Sequence, residues 1–318
     1  MAHDDIADEV RRLRAGAAAP LERDVVRVVG PDAEQFLSGQ LSADLGLLAP
    51  EEGAWSLLCE PTGKLGWWLR VSRLGADSFL IDVDAGCGDA VVARLQRFLL
   101  RTNASIALEP TDAWVALAVR GPVEVRLDHA VGATVLTLPS PWPGLLGWDV
   151  LAPADAHPRL DVEVVSAGAL EVLRVECGVP RHGAEITDGT IAAELGQWLI
   201  DASVSFAKGC YVGQELVARI DSRGGNVPRH LRAVRSPSGV AVGDEVVVDG
   251  RVVGVVTSAA VSPTVGPMGL ALVGRAVTPP AVVVLRGASG DGDAEVRAVP
   301  VVDDLATGPG VAVQLGGE

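Results

Sequence analysis

The spacing of apolar positions divides the chain into three stretches of different rhythm. An acidic, polar start from Asp4 to Arg14 reads as a helix, and "DVVRVVG" after it reads as a strand. In "PDAEQFLSGQLSADL" the residues Ala33, Phe36, Leu37 and Leu41 fall on one helical face, opened by Pro31. "WSLLCEPTGKLGWWLRVSRLGADSFLIDV" predicts three strands joined by turns at "PTGK" and "LGADS". "GDAVVARLQRFLLR" then predicts an amphipathic helix with Val92, Leu95, Phe98 and Leu99 inward.

A similar order follows with weaker signals. "DAWVALAVRG" predicts a strand, "PVEVRLDH" a short helix, and "GATVLTLP" and "LLGWDVLAP" strands. "SAGALEVLRVECG" predicts a helix stopped by Gly178 and Pro180. From His230 onward the runs are β-branched and cut by Gly and Pro, with "DG" at 249 and 250 a hairpin turn. The pattern predicts an α+β chain with two related α+β subdomains at 20–110 and 111–229 inside a region 1–229. A small all-β domain, barrel or sandwich, follows at 230–318. The junction is "SRGGNVPR", and clefts between domains favour small ligands.

Composition narrows the function classes. At 48% hydrophobic and 21% charged the chain is globular. Its apolar runs fall short of the ~18 to 20 residues of a membrane helix, and the N-terminus has no apolar signal core, so the expected location is the cytoplasm with no membrane partner. Cys59, Cys87, Cys177 and Cys210 lie far apart with no CxxC pair, which predicts free thiols and no stable metal. A net charge of -15 argues against nucleic acid as a partner. The balance reverses locally: from Lys208 to Arg232 there are five cations (Lys208, Arg219, Arg223, Arg229, Arg232) against Glu215 and Asp221. Such an island suits a small anion or is a solvated face.

Within that island "KGCYVGQE" joins one of only two lysines, the single tyrosine and one of four cysteines. Cys210 is expected in the turn entering a helix marked by Val212, Leu216 and Ile220, where the dipole and Lys208 would favour its thiolate. Lysine differs from arginine here as a compact, flexible point charge. Gly209 and Gly213 permit close backbone approach, and Gln214 offers a donor and an acceptor to a heterocycle edge. Tyr211 either stacks on a ring or caps the core, and Lys64 is a hairpin-turn residue.

"VSFAKGCYVGQELVAR" followed by "RGG" resembles the signature of the YgfZ-type folate-binding proteins linked to iron–sulfur cluster maintenance, relatives of the glycine cleavage T-protein, an aminomethyltransferase. The resemblance extends to "DAEQFLSGQLSADL", "RVECGVPRHGAEI", "GVVTSA" and "GLALV". It implies a T-protein-like fold that binds tetrahydrofolate or a one-carbon derivative, with iron–sulfur client or assembly proteins as partners and Cys210 as a reactive thiol or transient ligand. It also implies that Glu194, the counterpart of a pterin-contacting glutamate, joins Lys208, Gly209, Tyr211, Gly213, Gln214 and Glu215 around the folate. Relatives often have Pro and Asn where this chain has Ala192 and Gly196. Arg174 and Arg219 either neutralise the folate glutamate tail or pair with Glu176, Glu215 or Asp221. The alternative function is a folate-dependent aminomethyl or methyl transferase, for which Asp84 and Asp89 are the candidate acids.

Overall fold

The computed structural model describes residues 2–288, 290–301 and 313–316; the rest of the range 230–318 assigned to the C-terminal domain lies outside them. Helix α1 (Ala2–Gly16) leads into β1 (Ala17–Pro20), and β2 (Arg23–Val29) opens the first subdomain. Helix α2 (Ala33–Gln40) follows, with Ala33, Phe36 and Leu37 buried as its spacing predicts. Strands β3 (Gly53–Cys59), β4 (Leu65–Gly75) and β5 (Ser78–Asp84), helix α3 (Gly88–Gln96) and β6 (Ser105–Leu108) complete the subdomain. Its sheet is antiparallel in the order β3-β4-β5-β2-β6.

Leu95 is buried as expected, and Val92, Phe98 and Leu99 pack half-buried against the same core, although the helix ends at Gln96. The buried face is wider than expected, because it also takes in Val91 and Arg94. The guanidinium of Arg94 can be buried there because it reaches Gln40 Oε1 at 3.1 Å and the Cys59 carbonyl at 2.7 Å.

The second subdomain contains β7 (Trp114–Arg120), β8 (Val125–Asp128), β9 (Leu136–Pro139), β10 (Gly147–Pro153) and β11 (Arg159–Leu160). One sheet has the order β1-β7-β10-β9, so β1, which precedes the first subdomain in sequence, belongs to the second in space. The segment expected as a short helix at "PVEVRLDH" is instead strand β8. Val125 and Leu127 are buried while Arg126 and Asp128 are exposed, a period of two that fits a strand and not a helix.

Helix α4 (Ala167–Cys177) is capped by the Ser166 hydroxyl and stopped by Gly178 in the left-handed conformation (φ 70°). A 3₁₀ turn (Ala192–Leu195), helix α5 (Gln197–Ser203) and helix α6 (Gln214–Asp221) lead to the C-terminal strands. These are β12 (Arg229–Arg235), β13 (Glu245–Val248), β14 (Arg251–Ser262), β15 (Gly266–Gly274), β16 (Ala281–Gly287) and β17 (Gly290–Arg297), closed as a barrel in the order β12-β15-β14-β13-β16-β17. Asp249 (φ 50°) and Gly250 (φ 75°) form the two-residue turn between β13 and β14. Strand β18 (Val313–Gly316) lies outside the barrel and pairs in parallel with β8.

The largest apolar cluster joins Leu13, Leu170, Leu173 and Leu199 to Trp55 and Trp68 of the first sheet and to Leu231, Met268 and Leu270 of the barrel. The barrel therefore shares its base with the body. No helix among the described residues is long and apolar enough to cross a membrane.

Candidate functional site

The segment from Val204 to Gly213 is a loop pinned across the C-terminal end of α2. A helix leaves its last carbonyls without intrahelical partners and concentrates negative potential there. The Lys208 ammonium donates to the Ser38 and Leu41 carbonyls, 2.6 Å each, and the Val212 amide donates to the Gly39 carbonyl at 3.0 Å. Upstream, the Ser205 amide donates to the Ser42 carbonyl at 3.0 Å. Side chains consequently alternate in fate: Tyr211 is buried, Lys208 half-buried, and Phe206, Gly209 and Cys210 exposed. Burial lowers the Lys208 pKa, with Asp44 opposing the shift, and burial raises that of Tyr211, whose ring lies 5.3 Å from Lys208 Nζ.

This geometry extends the assignment of Lys208. Its hydrogen bonds go to backbone carbonyls at the end of α2, which adds helix capping and loop anchoring to the expected electrostatic role. Cys210 stands outside α6, three residues ahead of the cap Gly213. It is the one exposed cysteine. Cys59, Cys87 and Cys177 are buried, and burial pushes their thiols up to about 12, about 11 and about 12.

Gly213 has φ 85°, and a Cβ there would stand 2.6 Å from Cys59 Cβ and 2.9 Å from the Glu60 carbonyl oxygen. Gly63, in the β3–β4 turn, has φ 81° and faces Leu216 just as closely. The two glycines let the hairpin tip and the start of α6 touch backbone to backbone. Gly209, by contrast, has open space around it. Gln214 is half-buried in the first turn of α6, and Glu215 and Arg219 are on its exposed side.

A second feature lies between the subdomains and α4. It is a cavity of about 570 Å³ walled by Trp55, Trp68 and Trp142, with Arg23, Arg120, Arg174, Arg181, Asp84, Asp149 and His182 among its polar lining. Trp55 and Trp68 stack at 4.1 Å between centroids. Beneath them runs a buried chain of alternating charge. Arg23 pairs with Asp84 (2.6 Å) and Asp82 (2.8 Å), Arg70 with Asp82 and Asp149 (2.9 Å each), and Arg120 with Asp149 (2.8 Å). Burial pushes the Asp149 pKa up, but Arg120 and Arg70 outweigh it and the carboxyl ends below its usual range. Arg120 lies 4.3 Å over the Trp142 ring and keeps Nε and Nη2 buried without a hydrogen-bond partner.

Among the nine residues expected around the folate, only Arg174 lines this cavity. The sequence reading missed the tryptophans and the strand-borne charges. The available signal was compositional: seven of the chain's aromatic residues are Trp, against four Phe and one Tyr.

No family model matches the chain. Among curated proteins it is 26% identical over 227 residues to the mitochondrial iron–sulfur cluster assembly factor IBA57 homolog of Neurospora crassa, covering 67% of this chain and 52% of that protein. It is 29% identical over 227 residues to the tRNA-modifying protein YgfZ of Edwardsiella ictaluri, covering 63% of this chain and 65% of that one. Its fold matches the crystal structure of glycine cleavage system aminomethyltransferase T from Bartonella henselae, with TM-score 0.73 and 19% identity over 94% of this chain and 90% of that one. The chain is thus similar in sequence to YgfZ- and IBA57-type proteins and shares the fold of the aminomethyltransferase. It spans about half the length of the fungal relative.

The residues carried over from the YgfZ-type resemblance have definite places. Glu194 is buried in the 3₁₀ turn and not on an exposed loop. Its two oxygens receive a fork from Arg229 (Nε and Nη2, 3.0 Å each) and the Ile191 amide (3.0 Å). Arg229, expected in the cationic island, is thus committed to Glu194. Arg174 is buried and grips Glu171 with two bonds of 2.8 Å, and it also donates to Ser258 Oγ at 2.6 Å and to Glu185. It ties α4 to the barrel and pairs with none of Glu176, Glu215 or Asp221. Asp84 lines the cavity and Asp89 is exposed on α3. Among the described residues no three His, Cys, Asp or Glu side chains cluster as metal ligands.

Proposed function

We propose that the protein is a tetrahydrofolate-binding accessory factor for iron–sulfur enzymes or their assembly proteins, acting in the cytoplasm, with Cys210 as its working thiol. The observation that carries this reading is the pairing of one exposed thiol on an anchored loop with a separate aromatic, arginine-rich cavity.

The cavity residues fit a folate. Its volume lies in the ordinary range for small ligands, Trp55, Trp68 and Trp142 give it an aromatic wall for a flat ring to lie along, and Arg181, half exposed at 51%, can meet a carboxylate tail. Asp84 (28% exposed) supplies an acceptor for ring N–H groups. Bound folate supplies a one-carbon carrier, and the residues of this chain orient it and exclude water. Glu194 has three hydrogen bonds already, so a pterin contact there would have to share the carboxylate with Arg229.

Calorimetric titration with tetrahydrofolate under anaerobic conditions should show binding, and Cys210→Ser should bind equally but fail to restore cluster-enzyme activity in a deletion strain. Absence of binding at millimolar ligand removes the folate reading, and full restoration by Cys210→Ser removes the thiol's role. Asp84 in the cavity wall favours a second reading, a folate-dependent aminomethyl transferase. Steady formation of methylenetetrahydrofolate from an aminomethyl donor would put that reading first.

A further inference from the structure

The cavity and the Cys210 loop are separate features joined by hydrogen bonds that alternate with short covalent links of the backbone. Trp68, in the cavity wall, donates its indole N–H to Ser203 Oγ at 2.9 Å. The Ser203 carbonyl accepts from Ser42 Oγ at 2.6 Å, and the Ser42 carbonyl accepts from the Ser205 amide at 3.0 Å. Leu41, the neighbour of Ser42, supplies one of the two carbonyls that hold Lys208, two residues before Cys210. Ser42 and Ser203 are both buried, at 0% and 2% exposure, so water cannot substitute at these links without opening the core. The Ser42 hydroxyl is further fixed by the Leu57 amide, which donates to it at 2.7 Å from β3, the strand that carries Trp55.

We propose that occupancy of the cavity sets the order of the Cys210 loop through this Trp68–Ser203–Ser42 relay. The proposal rests on the cavity being the folate site. A ring lodged in the cavity against the edges of the stacked Trp55–Trp68 pair restrains the Trp68 indole, which stabilises its bond to Ser203. The restraint passes through Ser42 to the two anchors of the loop, the Ser205 amide and the Lys208 ammonium. Nothing in the relay needs to move far, because the coupling lies in how often the loop anchors open, and a ligand that lowers that frequency pays less ordering cost at a loop already held. Loaded and empty protein would then present the same thiol with different persistence to a partner.

The test uses the full chain with 5-formyltetrahydrofolate as the probe. Tryptophan fluorescence reports binding, and hydrogen exchange followed by mass spectrometry reports the 203–213 segment on the same samples. Saturating probe should slow exchange at the Ser205 and Val212 amides by about threefold or more relative to barrel strand β16. In Ser203→Ala the probe should still bind, and the slowing at Ser205 and Val212 should disappear. Ser42→Ala, which cuts the next link without touching Trp68, should give the same loss and serves if the first variant folds poorly. Binding without any slowing in the wild-type chain overturns the relay alone, as does slowing that survives intact in both variants. Absence of binding overturns the folate reading and the relay together.

Discussion

The two glycines of the motif make a sharp prediction, because they share a sequence context and differ in everything physical. At Gly213 an alanine would hold φ 85°, with its methyl 2.6 Å from Cys59 Cβ, 2.9 Å from the Glu60 carbonyl oxygen and 3.1 Å from Gly63 Cα. Left-handed backbone costs a non-glycine residue about 1 to 2 kcal/mol, and overpacking a tight contact adds about 1 to 3 kcal/mol. The reduced freedom of the unfolded chain returns about 0.5 kcal/mol, leaving a net loss of about 3 kcal/mol. None of the three obstacles can swing aside, since the Glu60 carbonyl and the Gly63 backbone belong to the hairpin tip and Cys59 ends a core strand. At Gly209 there is no atom within 4 Å to meet a methyl, and φ is not in the left-handed region. Gly209→Ala should change stability by less than about 0.5 kcal/mol. Urea unfolding of the two variants beside the wild type, followed by tryptophan fluorescence and circular dichroism, measures the difference. If Gly213→Ala costs under about 1 kcal/mol, or no more than Gly209→Ala, the contact between hairpin tip and motif is not as drawn.

The thiols give two further outcomes. A chromogenic disulfide reagent should titrate one fast thiol in the native protein and four after unfolding, and a second fast native thiol would refute the burial of the other three. Cys59 and Cys177 are raised from an ordinary 9.0 to about 12 in the folded state. Their contribution is therefore complete below about pH 9 and lost as pH rises toward 12, at up to about 1.4 kcal/mol per pH unit for each thiol; Cys59→Ala should flatten that slope. At the acid end the sign reverses. Asp149 is held below its usual range, so its stabilisation is present above the ordinary carboxyl value near 3.9 and lost as pH falls through the depressed one. Asp149→Asn should cost about 3 to 5 kcal/mol at neutral pH and remove that acid step, and a neutral outcome would deny the charge chain a structural role.

Much of the fold was legible because the signals were local. The helices α2 and α4 follow from apolar spacing and caps, the three strands of the first subdomain from alternation and turns, and the barrel from β-branched runs cut by glycine. The failures were also local in origin. "PVEVRLDH" is too short to separate a helical from a strand period by composition, and only the burial of Val125 and Leu127 against a sheet decides it. Around α3 the buried Arg94 could not be anticipated, since its partners Gln40 and Cys59 come from elements far away in sequence.

The cavity was illegible for a stronger reason. Arg23, Arg70, Arg120, Asp82 and Asp149 sit in strands dominated by apolar residues, and their meaning lies only in mutual pairing across two sheets. A charge inside a strand reads as an edge or an outward face until its partner is known.

The rarity of lysine, visible at once in the sequence, acquires a cause of a different kind. Proximity to Cys210 suggested a thiolate partner, whereas the ammonium sits between two carbonyls 2.6 Å away at the end of α2. A compact cation with rotatable donors can bridge Ser38 and Leu41 from inside a half-buried bend, and a planar guanidinium cannot satisfy both without pushing the loop outward. Several arginines of this chain meet carboxylates in forks, as Arg229 does at Glu194 and Arg70 at Asp82, and Arg94 spreads its guanidinium between Gln40 and the Cys59 carbonyl. Lys208 differs in gathering two carbonyls of one helix end onto a single ammonium. That task fixes where Cys210 stands without setting its chemistry, so the anchor and the thiol are separable: a variant that loosens the loop and a variant that removes the sulfur should damage function by different routes.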